Sequence, residues 1–93
     1  MQFEWDEAKN RENVRKHKID FRDATSIFGG PVFEELDDRE DYGEDRWIAF
    51  GLLGEEVIVV VYSERKGKRR IISARKARRV ERSFYFEAIQ AKS

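Results

Sequence analysis

Cysteine is absent from the 93 residues, and histidine, proline and methionine occur once each. Without thiols the chain can form no disulfide, thiolate nucleophile, zinc finger or iron–sulfur cluster. The lone histidine, His17, cannot build a multi-histidine metal centre, which leaves only a carboxylate site for a hard cation, since acidic side chains are plentiful. Long apolar runs are missing too: nothing approaches the ~20 residues that span a bilayer. The start, Met1-Gln2-Phe3-Glu4-Trp5-Asp6, has neither the basic onset nor the apolar stretch of a signal peptide. A cytoplasmic protein with no membrane contact is expected. The short length supports one core, so a single domain over residues 1–93 is expected, with no large enclosed cavity. A substrate must then meet a surface groove, which suits a long polymer better than a small molecule. Internal repeats and low-complexity segments are lacking as well, and nothing suggests a second module.

Net charge is zero, with 19 basic and 19 acidic side chains, yet the two signs are segregated. Residues 1–45 carry 7 Lys/Arg against 14 Asp/Glu, and residues 46–93 carry 12 against 5. Between Glu64 and Arg82 stand ten cations and only two anions, Glu64 and Glu81. A solvated surface pair is the ordinary fate of any one lysine or arginine. The density of this run points instead to a polyanion footprint.

Phe3-Glu4-Trp5 alternates as a short strand, and Asp6 offers an N-cap for a helix to about Lys16, with Lys16, His17 and Lys18 at its negative end. Asp20 caps a second helix bearing Ala24, Ile27 and Phe28 as an apolar stripe, stopped by Gly29-Gly30-Pro31. A weak strand over Val32–Leu36 precedes an acidic, turn-rich stretch, Asp37–Asp45, expected as an exposed loop lying away from any polyanion groove. Arg46–Leu53 places Trp47, Ala49 and Leu53 on one side and Ile48, Phe50 and Leu52 on the other, so both its faces should be covered. Val57–Tyr62 is the most β-branched run and the expected central strand. A turn at Lys66-Gly67-Lys68 leads to Arg69–Arg75, whose alternation sets Arg69, Ile71, Ser73 and Arg75 on one face. The last helix is expected over Lys76–Gln90, burying Ala77, Val80, Phe84 and Ala88. The order β-α-α-β-β-β-β-α describes an α+β domain whose helices pack on an antiparallel sheet.

The residues themselves carry a family resemblance. Phe3-Glu4-Trp5-Asp6-Glu7-x-Lys9 with Asn13, Lys16-His17, Phe21 and Ala24, and above all Arg70-Ile71-Ile72-Ser73-Ala74-Arg75-Lys76-Ala77-x-x-x-Glu81-Arg82 with Ser63-Glu64-Arg65 and Tyr85, resemble toxins of the BrnT type. Lys18 stands where that family usually has glycine, and Gly30-Pro31 where Asp-Pro is common. The resemblance implies a RelE-like fold and endoribonuclease activity that inhibits growth. It also implies neutralisation by a ribbon-helix-helix-like antitoxin of the BrnA type, with operator DNA bound only through the complex.

RNA brings its own nucleophile, the 2′-hydroxyl. A ribonuclease without metal or other cofactor then needs a proton acceptor, a proton donor for the leaving 5′-oxygen, and cations on the phosphorane. Arginine suits the last role, because its planar fork binds phosphate oxygens bidentately and stays charged. Arg75, ending the last strand where the basic helix begins, is the first candidate and Arg65 the second. Glu81 can be read as the structural partner of Arg75 or as a catalytic group. His17 is the one side chain that ordinarily titrates near neutrality, although a histidine at a helix end also serves as a cap. Glu64, Lys16 and Tyr85 are its alternatives. Arg70, Lys76, Arg79 and Arg82, with Lys16, are the expected RNA-binding cations, and no metal ligands are expected. A module that binds nucleic acid or a protein partner without cleaving anything is the competing reading.

Overall fold

The structure is a computed structural model and describes residues 1–39 and 41–92, the side chain of Lys92 apart; Glu40, within the acidic stretch, lies outside the described residues. The strands are β1 (Gln2–Trp5), β2 (Phe33–Asp37), β3 (Arg46–Leu53), β4 (Glu56–Arg65) and β5 (Lys68–Lys76). The helices are α1 (Glu7–His17), α2 (Phe21–Ala24), extended by a 3-10 turn over Thr25–Gly29, and α3 (Arg79–Lys92). The element order is the expected one.

The β-branched run sits at the middle of a five-stranded sheet ordered β1-β5-β4-β3-β2. From β2 to β5 the strands form an antiparallel meander. The hairpin from β4 to β5 turns on Lys66 and Gly67, both at positive φ, as the turn that matches strand twist requires. The sheet is mixed, however, and not purely antiparallel: β1 runs parallel to β5, pairing Gln2 with Lys68 through Trp5 with Ile71. A four-residue strand with no hairpin to a neighbour is free to take either direction, and the long stretch between β1 and β5, residues 6–67, is ample for the crossover that parallel pairing needs.

Because β1 stops at Trp5, the outer edge of β5 beyond Ile71 has no strand beside it. Asn13 of α1 fills the place. Its amide oxygen accepts from Ala74 N at 3.1 Å and its nitrogen donates to Ala74 O at 2.9 Å, while also reaching Ile19 O at 2.8 Å. Asn10 accepts from Phe21 N and donates to the Asp20 carboxylate. The two buried residues of α1 are thus asparagines, and the helix is held by amide hydrogen bonds where its apolar face is thin. Asp6 and Asp20 are N-caps as their positions predict.

Two cores flank the sheet. On the first face Ile19, Phe21, Ala24 and Ile27 pack against Ala49, Ile58, Val60, Tyr62, Ile71 and Ala74. Gly51 lets the 3-10 turn approach, since a Cβ there would stand 2.7 Å from Ile27 Cβ. On the second face Phe50, Val57 and Val59 meet Tyr85 of α3. Strand β3 is covered on both sides, as its double-faced apolar pattern requires.

Two expectations fail for identifiable reasons. Strand β5 runs on to Lys76, so α3 begins at Arg79, and its buried anchor is Tyr85, 1% exposed, with Val80 79% exposed. Phe84, 44% exposed, contacts Phe33 and Phe50 by ring edges and is not core. Tyr85 closes the contact by donating to Pro31 O at 2.7 Å. In β5 the register slips between Val61 and Tyr62, whose partners are Ser73 and Ile71, leaving Ile72 unpaired in a bulge. One extra residue inverts the alternation beyond it. Arg69 therefore lies with Tyr62 on the first face, and Ser73 and Arg75 lie on the second.

Candidate active site

Cross-strand pairing builds the second face in rows. Arg75, Val59, Phe50 and Phe33 form one; Ser73, Val61, Ile48 and Glu35 the next; Arg70, Ser63, Arg46 and Asp37 a third. Helix α3 covers one end of this face. Beside it lies a cleft of about 350 Å³ whose polar lining is Glu35, Arg39, Ser73, Arg75 and Glu81 over a floor of Ile48, Phe50, Val59 and Val61.

Arg75 is fixed by a bidentate fork to Glu81, both contacts 2.8 Å, and its Nη1 also reaches Lys76 O at 3.2 Å. Glu81 in turn accepts from Arg78 N at 2.8 Å. It stands three residues after the residue before α3, so the same carboxylate caps the helix and aims the arginine. The fork holds the Glu81 carboxyl down to about 2, against an ordinary 4.5, and raises Arg75 further. Glu81 is accordingly ionised and both its oxygens already accept hydrogen bonds, which suits it to positioning and not to proton transfer. Across the cleft Arg39 forms a second fork, to buried Asp37 at 2.7 and 2.8 Å, which holds that carboxyl at about 2.

The other residues expected at the site are distributed unevenly. Arg70 lies in the third row, paired with Glu4 at 2.7 Å. Arg65 reaches Glu44 at 3.2 Å, and Arg46 stacks on Tyr42, 3.9 Å from the ring centre, beside the same glutamate. The acidic stretch therefore does not lie apart from the basic face: its two ends, Asp37 with Arg39 and Glu44 with Arg65, line it. The opposite charges of the two halves attract each other in the folded chain. Lys16 and His17 line a separate groove with Lys9, Glu12, Asn13 and Ile72, which meets the Arg75 cleft at Ser73. Lys76, Arg79 and Arg82 are exposed around the start of α3, Arg82 lying over the Phe86 ring. Glu64 does not join Arg75: it pairs across from Arg69, on the first face. Tyr85 is buried and committed to Pro31.

Glu35, Arg39 and Ser73 were not singled out from sequence. Arg39 had a signal, as the one cation between Glu34 and Asp45. Glu35 shares the alternation of Phe33 and Asp37, but the strand was too weakly marked to use it. Among the described residues no group of three or more His, Cys, Asp or Glu is placed to hold a metal ion, and no helix is long and apolar enough to cross a membrane.

No curated protein matches the chain in sequence. A family model described as "Ribonuclease toxin, BrnT, of type II toxin-antitoxin system" matches residues 5–81, a span holding every residue that lines the cleft. By that match the chain belongs to the BrnT family of ribonuclease toxins of type II toxin–antitoxin systems, whose members have a protein antitoxin as partner.

Proposed function

We propose that the chain is a metal-independent endoribonuclease that acts in the cytoplasm as one domain over residues 1–93, cleaves RNA at the Arg75 cleft and thereby inhibits growth. A BrnA-type, ribbon-helix-helix-like antitoxin neutralises it, and operator DNA is met only through that complex. The observation that carries the reading is the Arg75–Glu81 fork, which presents a preoriented guanidinium in an open cleft of a ribonuclease-family chain. A cation already aimed at the reacting phosphate stabilises charge in the transition state without reorganising.

In this reading Arg75 and Arg39 take the non-bridging oxygens of one phosphate. The 2′-oxygen attacks phosphorus, the bond to the 5′-oxygen breaks, and the products are a 2′,3′-cyclic phosphate and a 5′-hydroxyl. The strand continues past Ser73 into the groove of Lys16 and His17, so that His17 is the side chain in line to protonate the leaving oxygen. Arg65, expected as the second catalytic arginine, is paired with Glu44 outside the cleft lining, so it joins Lys16, Arg70, Lys76, Arg79 and Arg82 in binding flanking phosphates.

The test is cleavage of end-labelled single-stranded RNA by purified protein in excess EDTA. New ends bearing cyclic phosphate are expected. Binding without cleavage, with or without added divalent cations, would return the protein to the class of non-catalytic modules.

A further inference from the structure

The carboxylates around the second face are nearly all engaged. Glu4 holds Arg70, Asp37 holds Arg39 and accepts from Tyr42, Glu44 holds Arg65, and Glu81 holds Arg75 and Arg78 N. A carboxylate inside a guanidinium fork is a poor proton acceptor, because taking a proton breaks the pair. Glu35 differs: it lines the cleft, is exposed, and its carboxylate makes no hydrogen bond or ion pair with another described residue. From this juxtaposition we infer that Glu35 is the proton acceptor for the 2′-hydroxyl, an inference that rests on the ribonuclease reading above.

The spacing is consistent with the role. Glu35 and Ser73 are three strands apart in one row, about 14 Å between Cα atoms at ordinary strand spacing. Arg75 lies one row further on. A glutamate from β2 and an arginine from β5 thus line the same cleft from its two sides. The charged groups facing Glu35 are Arg39 from the chain just beyond β2, Arg75 from β5 and Glu81 from α3. Arg39 is the bridge: its pair with Asp37 anchors it beside Glu35, and it faces Arg75 across the cleft.

In the step, the Glu35 carboxylate takes the 2′-hydroxyl proton as the 2′-oxygen bonds to phosphorus. The electron pair of the breaking P–O bond goes to the 5′-oxygen, which is protonated as it leaves. Glu35 then returns its proton to solvent. Of the sequence candidates for acid or base, Glu64 is on the opposite face, Tyr85 is buried, and His17 and Lys16 line the neighbouring groove and not this cleft, so Glu35 takes the acceptor's place.

The experiment is single-turnover cleavage of a labelled RNA oligonucleotide in EDTA as a function of pH, comparing the parent with Glu35→Gln, Glu35→Asp and, as a control in the β3–β4 turn, Glu55→Gln. Glu35→Gln should lower the rate ~10²-fold or more with RNA affinity unchanged, and should flatten the acid limb of the pH profile. Glu35→Asp should restore part of the rate, and Glu55→Gln should match the parent. A folded Glu35→Gln protein that cleaves at the parental rate with the parental pH profile overturns the assignment and leaves the ribonuclease reading standing. A parent that does not cleave overturns both.

Discussion

Arg75 derives its orientation from one carboxylate. Glu81 grips both terminal nitrogens and is itself held by Arg78 N, so the guanidinium is fixed relative to both β5 and α3. This pairing was legible as one of two readings of Glu81, but the second carboxylate fork, between Arg39 and Asp37, was not. A consequence can be measured in acid. Glu81 and Asp37 have folded-state values near 2 against ordinary values of 4.5 and 3.8. A group depressed on folding contributes stability that is complete above its ordinary value and is lost as pH falls toward the folded one. The denaturant midpoint should therefore fall between about pH 4.5 and 2, and Glu81→Gln should make that decline shallower. Parallel declines for the parent and the variant would show that the fork contributes no pH-dependent stability. Lys18 shows a residue-scale departure from the family's pattern: it closes α1 at φ +61, a left-handed conformation that explains the family's usual glycine and that lysine adopts at some cost.

At the scale of elements, alternation, apolar runs and turn residues marked the elements in their order, β2 only weakly, and caps at Asp6 and Asp20 set two of the helix starts. What it could not show were interactions that depend on partners distant in sequence. The bulge at Ile72 is invisible in an alternating string, yet it moves Arg75 to the face opposite Arg69. The parallel pairing of β1 and the burial of Tyr85 in place of Val80 and Phe84 likewise arise from tertiary contacts. Asn13 is the clearest case, a polar residue on a weakly amphipathic helix that serves as the missing edge of the sheet. Asn13→Ala leaves the N–H and C=O of Ala74 without their partner at a buried position. It should destabilise the fold by about 2–4 kcal/mol, read as a lower midpoint with an unchanged denaturant slope. Unchanged stability would mean that α1 docks by other contacts.

Across the whole molecule, a neutral total conceals two halves of opposite sign that fold onto one another. The basic run read from sequence is a footprint only in part. Arg65, Arg70 and Arg75 are matched by Glu44, Glu4 and Glu81, whereas the exposed turn lysines Lys66 and Lys68 have no such partner among the described residues. Cations of these two kinds should behave differently toward RNA. Turn lysines supply uniform attraction, so Lys66→Ala or Lys68→Ala should weaken affinity slightly and lower its salt dependence by about one phosphate contact each. A preoriented arginine acts on the transition state, where binding and rate separate. The decisive measurement is single-turnover RNA cleavage by Arg75→Ala at saturating protein in EDTA, alongside its RNA affinity. The arginine-centred account predicts a rate lowered ~10²-fold or more with affinity nearly intact. A folded Arg75→Ala protein that cleaves RNA at the parental rate would contradict it.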